Sequence, residues 1–228
     1  MRGLLALTNV QIESSLEDGD LIAPPSTYSL LIALRAMKRP LLVITSSSKA
    51  AEELANELRE LHSDTLEFPA WETLPHERLS PSSDTVARRI SALHALKDSE
   101  RNWIVVAPVR AVIHKINPQI SKTEPILLER GREFDLTQLQ EELIHFAYKR
   151  TDLVEKRGEF AVRGGILDIF PPHQDHPIRI DFFGDEIDEI SFFSVSDQRS
   201  TQSVSLPIKI LPCRELMISD EIRNRARD

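Results

Sequence analysis

The sequence predicts an α/β protein with two parts, a domain built on a parallel sheet and a smaller α+β domain with an antiparallel sheet. Strand-like and helix-like segments alternate between residues 41 and 116. This alternation is typical of a parallel sheet that helices cover on both faces. From residue 153 to about residue 211, short apolar runs are separated by glycine turns, a pattern that indicates antiparallel strands.

The first part begins with an apolar run at residues 41–45, which follows Pro40 and is typical of a buried strand. Serines 46–48 can cap the helix that comes next. Its apolar residues recur at helical spacing: Ala51, Leu54, Leu58 and Leu61. Further strands are expected at residues 65–68 and 103–107, a helix that Asp84 caps between them, and a short helix at residues 109–116.

The second part is expected to begin near Thr123. A strand is predicted at residues 126–129, and then a helix at residues 136–150 capped by Asp135 or Thr137. The apolar stripe of that helix is Leu139, Leu143, Ile144 and Ala147. The antiparallel strands follow, and residues 213–228 are charged and predicted to be helical, as the start of a further domain.

Composition excludes several classes of protein. The 228 residues carry a formal charge of −8, which argues against a dedicated nucleic-acid binder, since such proteins usually present a basic face. The single cysteine, Cys213, excludes an internal disulfide and fits a reducing cytoplasm. No apolar run is long enough to cross a membrane. We therefore expect a folded cytoplasmic protein, a monomer by default.

The loop that would bind a nucleotide in the first part lacks the necessary residues. Such a loop needs glycines, a lysine and a hydroxyl group for magnesium. Residues 19–38 contain no glycine after Gly19 and no lysine before Lys38. Pro24 and Pro25 also remove two backbone N–H donors. We expect no nucleotide, no cofactor and no enzymatic activity in this chain.

Other catalytic or metal sites are equally weakly indicated. His173, Asp175 and His176 could be drawn as metal ligands, but they lie in a proline-flanked turn without a fourth ligand nearby in sequence. We expect a solvated loop there, and we predict no catalytic and no metal-binding residue.

The most unusual residues lie between positions 157 and 193. Side chains of a strand alternate between its faces. Ile178, Ile180 and Phe182 therefore share one face, and Arg179, Asp181 and Phe183 share the other. An exposed Phe beside Arg is typical of an interaction surface. The alternative is a Phe that neighbouring loops half cover.

Two stretches carry a family resemblance: RGEFAVRGGILDIFPP at 157–172 and IRIDFFGDEIDEI at 178–190. They resemble domain 2 of the excision-repair protein UvrB and of the bacterial transcription-repair coupling factors. The stretches at 68–96 and 194–200 resemble the coupling factors specifically. The resemblance covers almost the whole chain, which is thus identified as the N-terminal UvrB-like module of that family.

The resemblance implies a degenerate helicase-like domain 1a at residues 1–123, a UvrA-binding domain 2 at 124–211 and the truncated start of domain 1b at 212–228. It implies that Arg163, Arg179 and Phe183 bind UvrA. The whole coupling factor is expected to displace stalled RNA polymerase from damaged DNA by ATP-driven translocation. Its contacts with RNA polymerase, DNA, ATP and magnesium are expected to lie in domains absent from this chain.

Two alternatives remain open. The chain could be a fragment of UvrB itself, or of another helicase-like domain that handles nucleotides or DNA. The domain 2 surface could also be covered by a later domain of the same protein until UvrA is needed.

Overall fold

The computed structural model describes residues 22–73, 81–117 and 120–215. The fold is mixed α/β, with parallel and antiparallel sheets as predicted. Contacts divide the described chain into two units. One comprises residues 22–73 and 95–115, and the other comprises residues 81–94, 116–117 and 120–215.

The first unit is a three-stranded parallel sheet in the order β1-β3-β2. Its elements, in chain order, are α1 (Tyr28–Ala36), β1 (Leu41–Thr45), α2 (Ser48–Leu61), β2 (Thr65–Glu67), β3 (Ile104–Pro108) and α4 (Val109–Ile113). Helix α3 (Ser83–Ala95) lies between β2 and β3 in the chain, but most of it belongs to the second unit. Helix α2 begins as predicted, because the Ser47 hydroxyl accepts a hydrogen bond from the Ala50 N–H at 3.2 Å.

Helices α1 and α2 pack against one face of this sheet. Ala33 of α1, Leu58 of α2 and Val106 of β3 are completely or almost completely buried in that core. The opposite face is different at β1, where Leu42 is 57% exposed and Ile44 is 54% exposed. The prediction that both faces of the sheet are covered is therefore wrong at this strand.

The second unit contains most of α3 and all the antiparallel strands. Its remaining elements are β4 (Ile126–Leu128), α5 (Leu136–His145), β5 (Lys149–Arg150), β6 (Glu159–Arg163), β7 (Ile166–Ile169), β8 (Ile178–Phe183), β9 (Glu186–Phe193), β10 (Ser200–Ser203) and β11 (Ile208–Ile210). Six strands form one sheet in the order β10-β9-β8-β7-β6-β5, and β11 pairs with β4 in a second sheet. All pairs are antiparallel except β5 with β6.

The main core of the second unit lies between α5 and one face of the large sheet. Leu139 and Leu143 of α5 share this core with Phe160, Leu167 and Ile180 of the central strands. Asp135 caps α5, since its carboxylate accepts the Thr137 N–H at 2.7 Å and the Gln138 N–H at 3.2 Å. Of the two predicted caps, Asp135 is the one used.

Three details of the predicted helices differ from the structure. Helix α5 ends at His145, because Ala147 adopts a left-handed conformation with φ of 64°. Ile144, predicted to be in the apolar stripe, is 57% exposed. At the start of α3, the Ser82 hydroxyl accepts the Thr85 N–H at 3.2 Å, so Asp84 lies in the first turn and is not the cap.

The predicted domain boundaries remain predictions. Helix α3 groups with the second unit through residue 94, although a boundary near Thr123 would leave it in the first domain. The predicted helix at residues 213–228 lies outside the described residues from residue 216 onward. Within the described ranges, no helix is both long enough and apolar enough to cross a membrane.

Candidate protein-docking site

The outer face of the six-stranded sheet carries all three residues predicted to bind a partner. On this face, Ala161 lies opposite Asp168, which in turn lies opposite Arg179. A small apolar cluster beside them contains Val154, Ala161, Phe170 and Phe193. The face thus combines an apolar floor with charged side chains.

Asp168 is the centre of the charged group. Its side chain is only 1% exposed. Arg179 donates Nε to Oδ1 at 2.7 Å and Nη2 to Oδ2 at 2.9 Å, while Arg163 donates Nη2 to Oδ2 at 2.8 Å. One buried carboxylate therefore accepts hydrogen bonds from both arginines, and such charge-assisted bonds are among the strongest in proteins.

The Arg179 side chain contacts Asp168, the Phe193 ring and the Gln198 carbonyl. Its guanidinium lies 4.9 Å from the centre of the Phe193 ring, within the range of a cation–π contact. Its Nη1 donates to the Gln198 carbonyl at 3.0 Å. The hydrogen bond to Asp168 raises the pKa of Arg179, so this side chain stays charged. Only 16% of it is exposed.

The Gln198 carbonyl is positioned by an unusual loop. Gln198 has a φ of 60°, a left-handed conformation that residues other than glycine adopt infrequently. Its side-chain amide donates to the carbonyls of Val195 at 3.0 Å and Val154 at 3.3 Å. These bonds hold the loop against the sheet and aim its backbone oxygen at Arg179.

Phe183 differs from Arg179 in being open to solvent. It is 83% exposed, whereas its neighbour Phe182 packs against the main core. It stands next to the two-residue turn between β8 and β9, where Gly184 has a φ of 65°. Alternation along β8 thus holds at this position, and the alternative of a Phe half covered by loops is wrong.

Arg163 and Phe183 are the last residues of their strands and lie at the same end of the sheet. Strands β6 and β8 are both antiparallel to β7, so they run in the same direction and end at the same side. The two turns adjoin, because the Phe182 N–H donates to the Gly165 carbonyl at 2.8 Å. A Cβ at Gly165 would lie 3.0 Å from the Phe182 carbonyl oxygen, so this close approach favours glycine.

Acidic residues border the same area. Asp181 lies directly opposite Glu189. Burial raises the pKa of the Asp181 carboxyl, while the charge of Arg179 opposes that shift. The surface around Phe183 is therefore mixed in charge, with Arg163 on β6 and the carboxylates on β8 and β9.

Two residues of this site, Asp168 and Gln198, were not predicted from the sequence. The signal for Asp168 was present, because an aspartate inside the apolar run GILDIF is expensive to bury without a partner. No comparable signal points to Gln198, because its role depends on its backbone conformation.

The two histidines considered as metal ligands in the sequence, His173 and His176, make other contacts in the structure. The His173 ring bonds the Lys209 carbonyl at 2.9 Å, and the His176 ring packs edge-on against Phe192. Burial lowers the pKa of His173. Within residues 22–73, 81–117 and 120–215, no group of three His, Cys, Asp or Glu residues could hold a metal ion.

Comparison with known proteins identifies the class of domain first. Residues 126–216 match the family described as the UvrB interaction domain, so this part of the second unit belongs to that family. The match contains the whole arginine, aspartate and phenylalanine group described above.

The chain as a whole is homologous to a section of the transcription-repair-coupling factors. It is 44% identical over 214 residues to that factor of Mycobacterium bovis, covering 90% of this chain and 17% of the relative. It is 34% identical over 200 residues to that of Myxococcus xanthus, covering 84% and 17%. The UvrABC system protein B of Gloeothece citriformis is 28% identical over 209 residues, covering 86% and 31%. The resemblance seen in the sequence is confirmed, and the chain spans about a sixth of the coupling factors it matches.

Proposed function

We propose that this chain is the UvrA-docking module of a transcription-repair-coupling factor. The observation that carries the proposal is Phe183, a large apolar side chain that is 83% exposed within the UvrB interaction domain. An exposed aromatic beside the turn of a hairpin is well suited to enter a pocket on a partner.

The charged residues beside Phe183 suit a partner with acidic groups. The two arginines share one carboxylate, Asp168, so these three side chains together keep one positive charge, next to the carboxylates of Asp181 and Glu189. Arg163 is half exposed, at 51%. Its free N–H groups would bind a carboxylate of UvrA in a charge-assisted contact.

We also propose that the first unit is a degenerate helicase-like domain that does not hydrolyse ATP. Its three-stranded parallel sheet fits that fold class. Pro24 and Pro25 supply no backbone N–H donor where a phosphate would need one, and the Thr27 hydroxyl donates to the Pro24 carbonyl at 2.7 Å. In the complete coupling factor, displacement of stalled RNA polymerase and ATP-driven movement on DNA would then depend on other domains.

A titration of the purified chain against purified UvrA tests the docking proposal. We expect specific binding that Arg163→Glu weakens more than about tenfold, because the change reverses a charge at the contact. Arg150→Glu is the matched control. It makes the same change at an exposed arginine of β5. Arg150 pairs with Phe160, which faces the main core, so it lies on the other face of the sheet from Arg163. The affinity of this variant for UvrA should stay within about twofold of wild type. Equal losses in both variants, or no binding by the wild-type chain, would refute the proposal.

A second candidate function is the handling of nucleotides, which the parallel sheet and the similarity to UvrABC system protein B favour. Equilibrium dialysis with ATP and magnesium separates the two functions. Binding in the micromolar range would contradict the interpretation of the loop at Pro24 and Pro25.

A further inference from the structure

We propose that Asp168 is a positioning residue for docking, which holds Arg179 as a support beneath the surface and aims Arg163 at the partner. This inference rests on the proposed docking function and adds a division of roles between the two arginines. It comes from the sharing of one buried carboxylate by two cations of very different exposure.

Arg179 has little left to offer a partner. Three of its N–H groups are already donated, two to Asp168 and one to the Gln198 carbonyl. A guanidinium has five N–H groups, and here its plane also lies over the Phe193 ring. With 16% of the side chain exposed, its main contacts are within the domain.

Arg163 has the complementary arrangement. Among residues 22–73, 81–117 and 120–215, its side chain forms one hydrogen bond, from Nη2 to Asp168, and 51% of the side chain is exposed. A single bond of 2.8 Å restrains one corner of the guanidinium. The remaining N–H groups of Arg163 are not used in this bond and can form a two-point contact with a carboxylate of the partner.

The sign of one mutational effect distinguishes positioning from simple attraction. Asp168→Asn removes a negative charge beside two arginines, so attraction alone predicts tighter binding to an acidic partner. Positioning predicts the opposite, because the neutral amide cannot accept the full set of charge-assisted bonds and Arg163 loses its restraint.

The experiment is a titration of the whole chain against purified UvrA at fixed salt. We expect Asp168→Asn to weaken binding about tenfold, the loss typical when a hydrogen bond to a charged group is removed. Glu141→Gln is the charge control. Glu141 is exposed on α5, which packs against the opposite face of the sheet, so binding should stay within about twofold of wild type. Wild-type or tighter binding by Asp168→Asn would overturn the proposal.

A double-mutant cycle separates positioning from a general effect on folding. If Asp168 acts by aiming Arg163, Asp168→Asn should have at most about a threefold effect in an Arg163→Gln background. A full tenfold loss in that background would overturn the assigned role.

Arg179→Lys provides a second route if Asp168→Asn fails to fold. It keeps the charge but loses the two-point bond to Asp168, and we expect it to weaken binding at least about fivefold. Wild-type affinity for this variant would contradict a supporting role for Arg179. Absence of UvrA binding by the wild-type chain would instead refute the docking function itself.

Discussion

Replacing Phe183 with alanine is expected to weaken binding to UvrA and to leave the stability of the fold unchanged. A Phe side chain contributes roughly 150–250 Å² of buried area when enclosed. Because Phe183 is 83% exposed, nearly all of that area is available to a partner. At about 25 cal/mol per Å², enclosing about 150 Å² contributes about 4 kcal/mol, and enclosing half of it about 2 kcal/mol.

The expected loss on Phe183→Ala is therefore about 2–4 kcal/mol, at least about a thirtyfold rise in Kd. The free energy of unfolding should change by less than about 0.5 kcal/mol, as for other exposed positions. Isothermal titration calorimetry with purified UvrA measures the first quantity, and urea denaturation of the free chain measures the second.

Phe182→Ala is the matched control, since it truncates the same residue type one position earlier. Phe182 packs against the core, so this variant should lose about 2 kcal/mol of stability. If Phe183→Ala binds UvrA within twofold of wild type, the aromatic anchor is not part of the contact. If Phe183→Ala loses as much stability as Phe182→Ala, the Phe183 side chain is not exposed to solvent as described.

Two further predictions concern the stability of the second unit. Glu215→Ala should lower the free energy of unfolding by about 3 kcal/mol in urea denaturation, because Arg89, which is completely buried, then loses this carboxylate. Arg130→Ala, which removes an exposed ion pair with Asp188, should change it by less than about 1 kcal/mol, and similar effects would contradict the importance of burial. Burial raises the pKa of the Cys213 thiol from 9.0 to about 12, so the unfolded thiol ionises first as the pH rises above 9. This group should make the chain about 1 kcal/mol less stable at pH 10 than at pH 8, and Cys213→Ala should reduce that dependence. An identical pH dependence in the variant would contradict the assigned cause.

The part of the site that the sequence predicts is the part that depends on strand alternation. Side chains alternate along a strand with a period of two residues, so Phe183 and Arg179 share one face regardless of which strands pair with β8. The family motif supplied the predicted role of Arg163 in binding UvrA. Both inferences need only the local sequence, and for that reason the exposure of Phe183 could be anticipated.

The rest of the site depends on the pairing of strands and on backbone conformation. Asp168 meets Arg179 because β7 and β8 pair in one register, and a shift of one residue would separate them. The left-handed backbone at Gln198 and at Ala147 could not be predicted, because neither residue type signals it. The exposed face of β1 was missed for a related reason, since an apolar run predicts burial without saying on which sides.

The pair between Arg89 and Glu215 also determines how the interaction domain can be shortened. These residues are 126 positions apart and bond at 2.5 Å and 3.4 Å, with the Arg89 side chain fully buried. A chain cut after Leu211 but retaining α3 would bury a cation without this counter-charge, whereas a chain beginning at Glu124 and retaining Glu215 would leave the anion without its partner. One residue of α3 and one residue after β11 are thus joined by this single pair, and the smallest stable piece must keep both residues or neither.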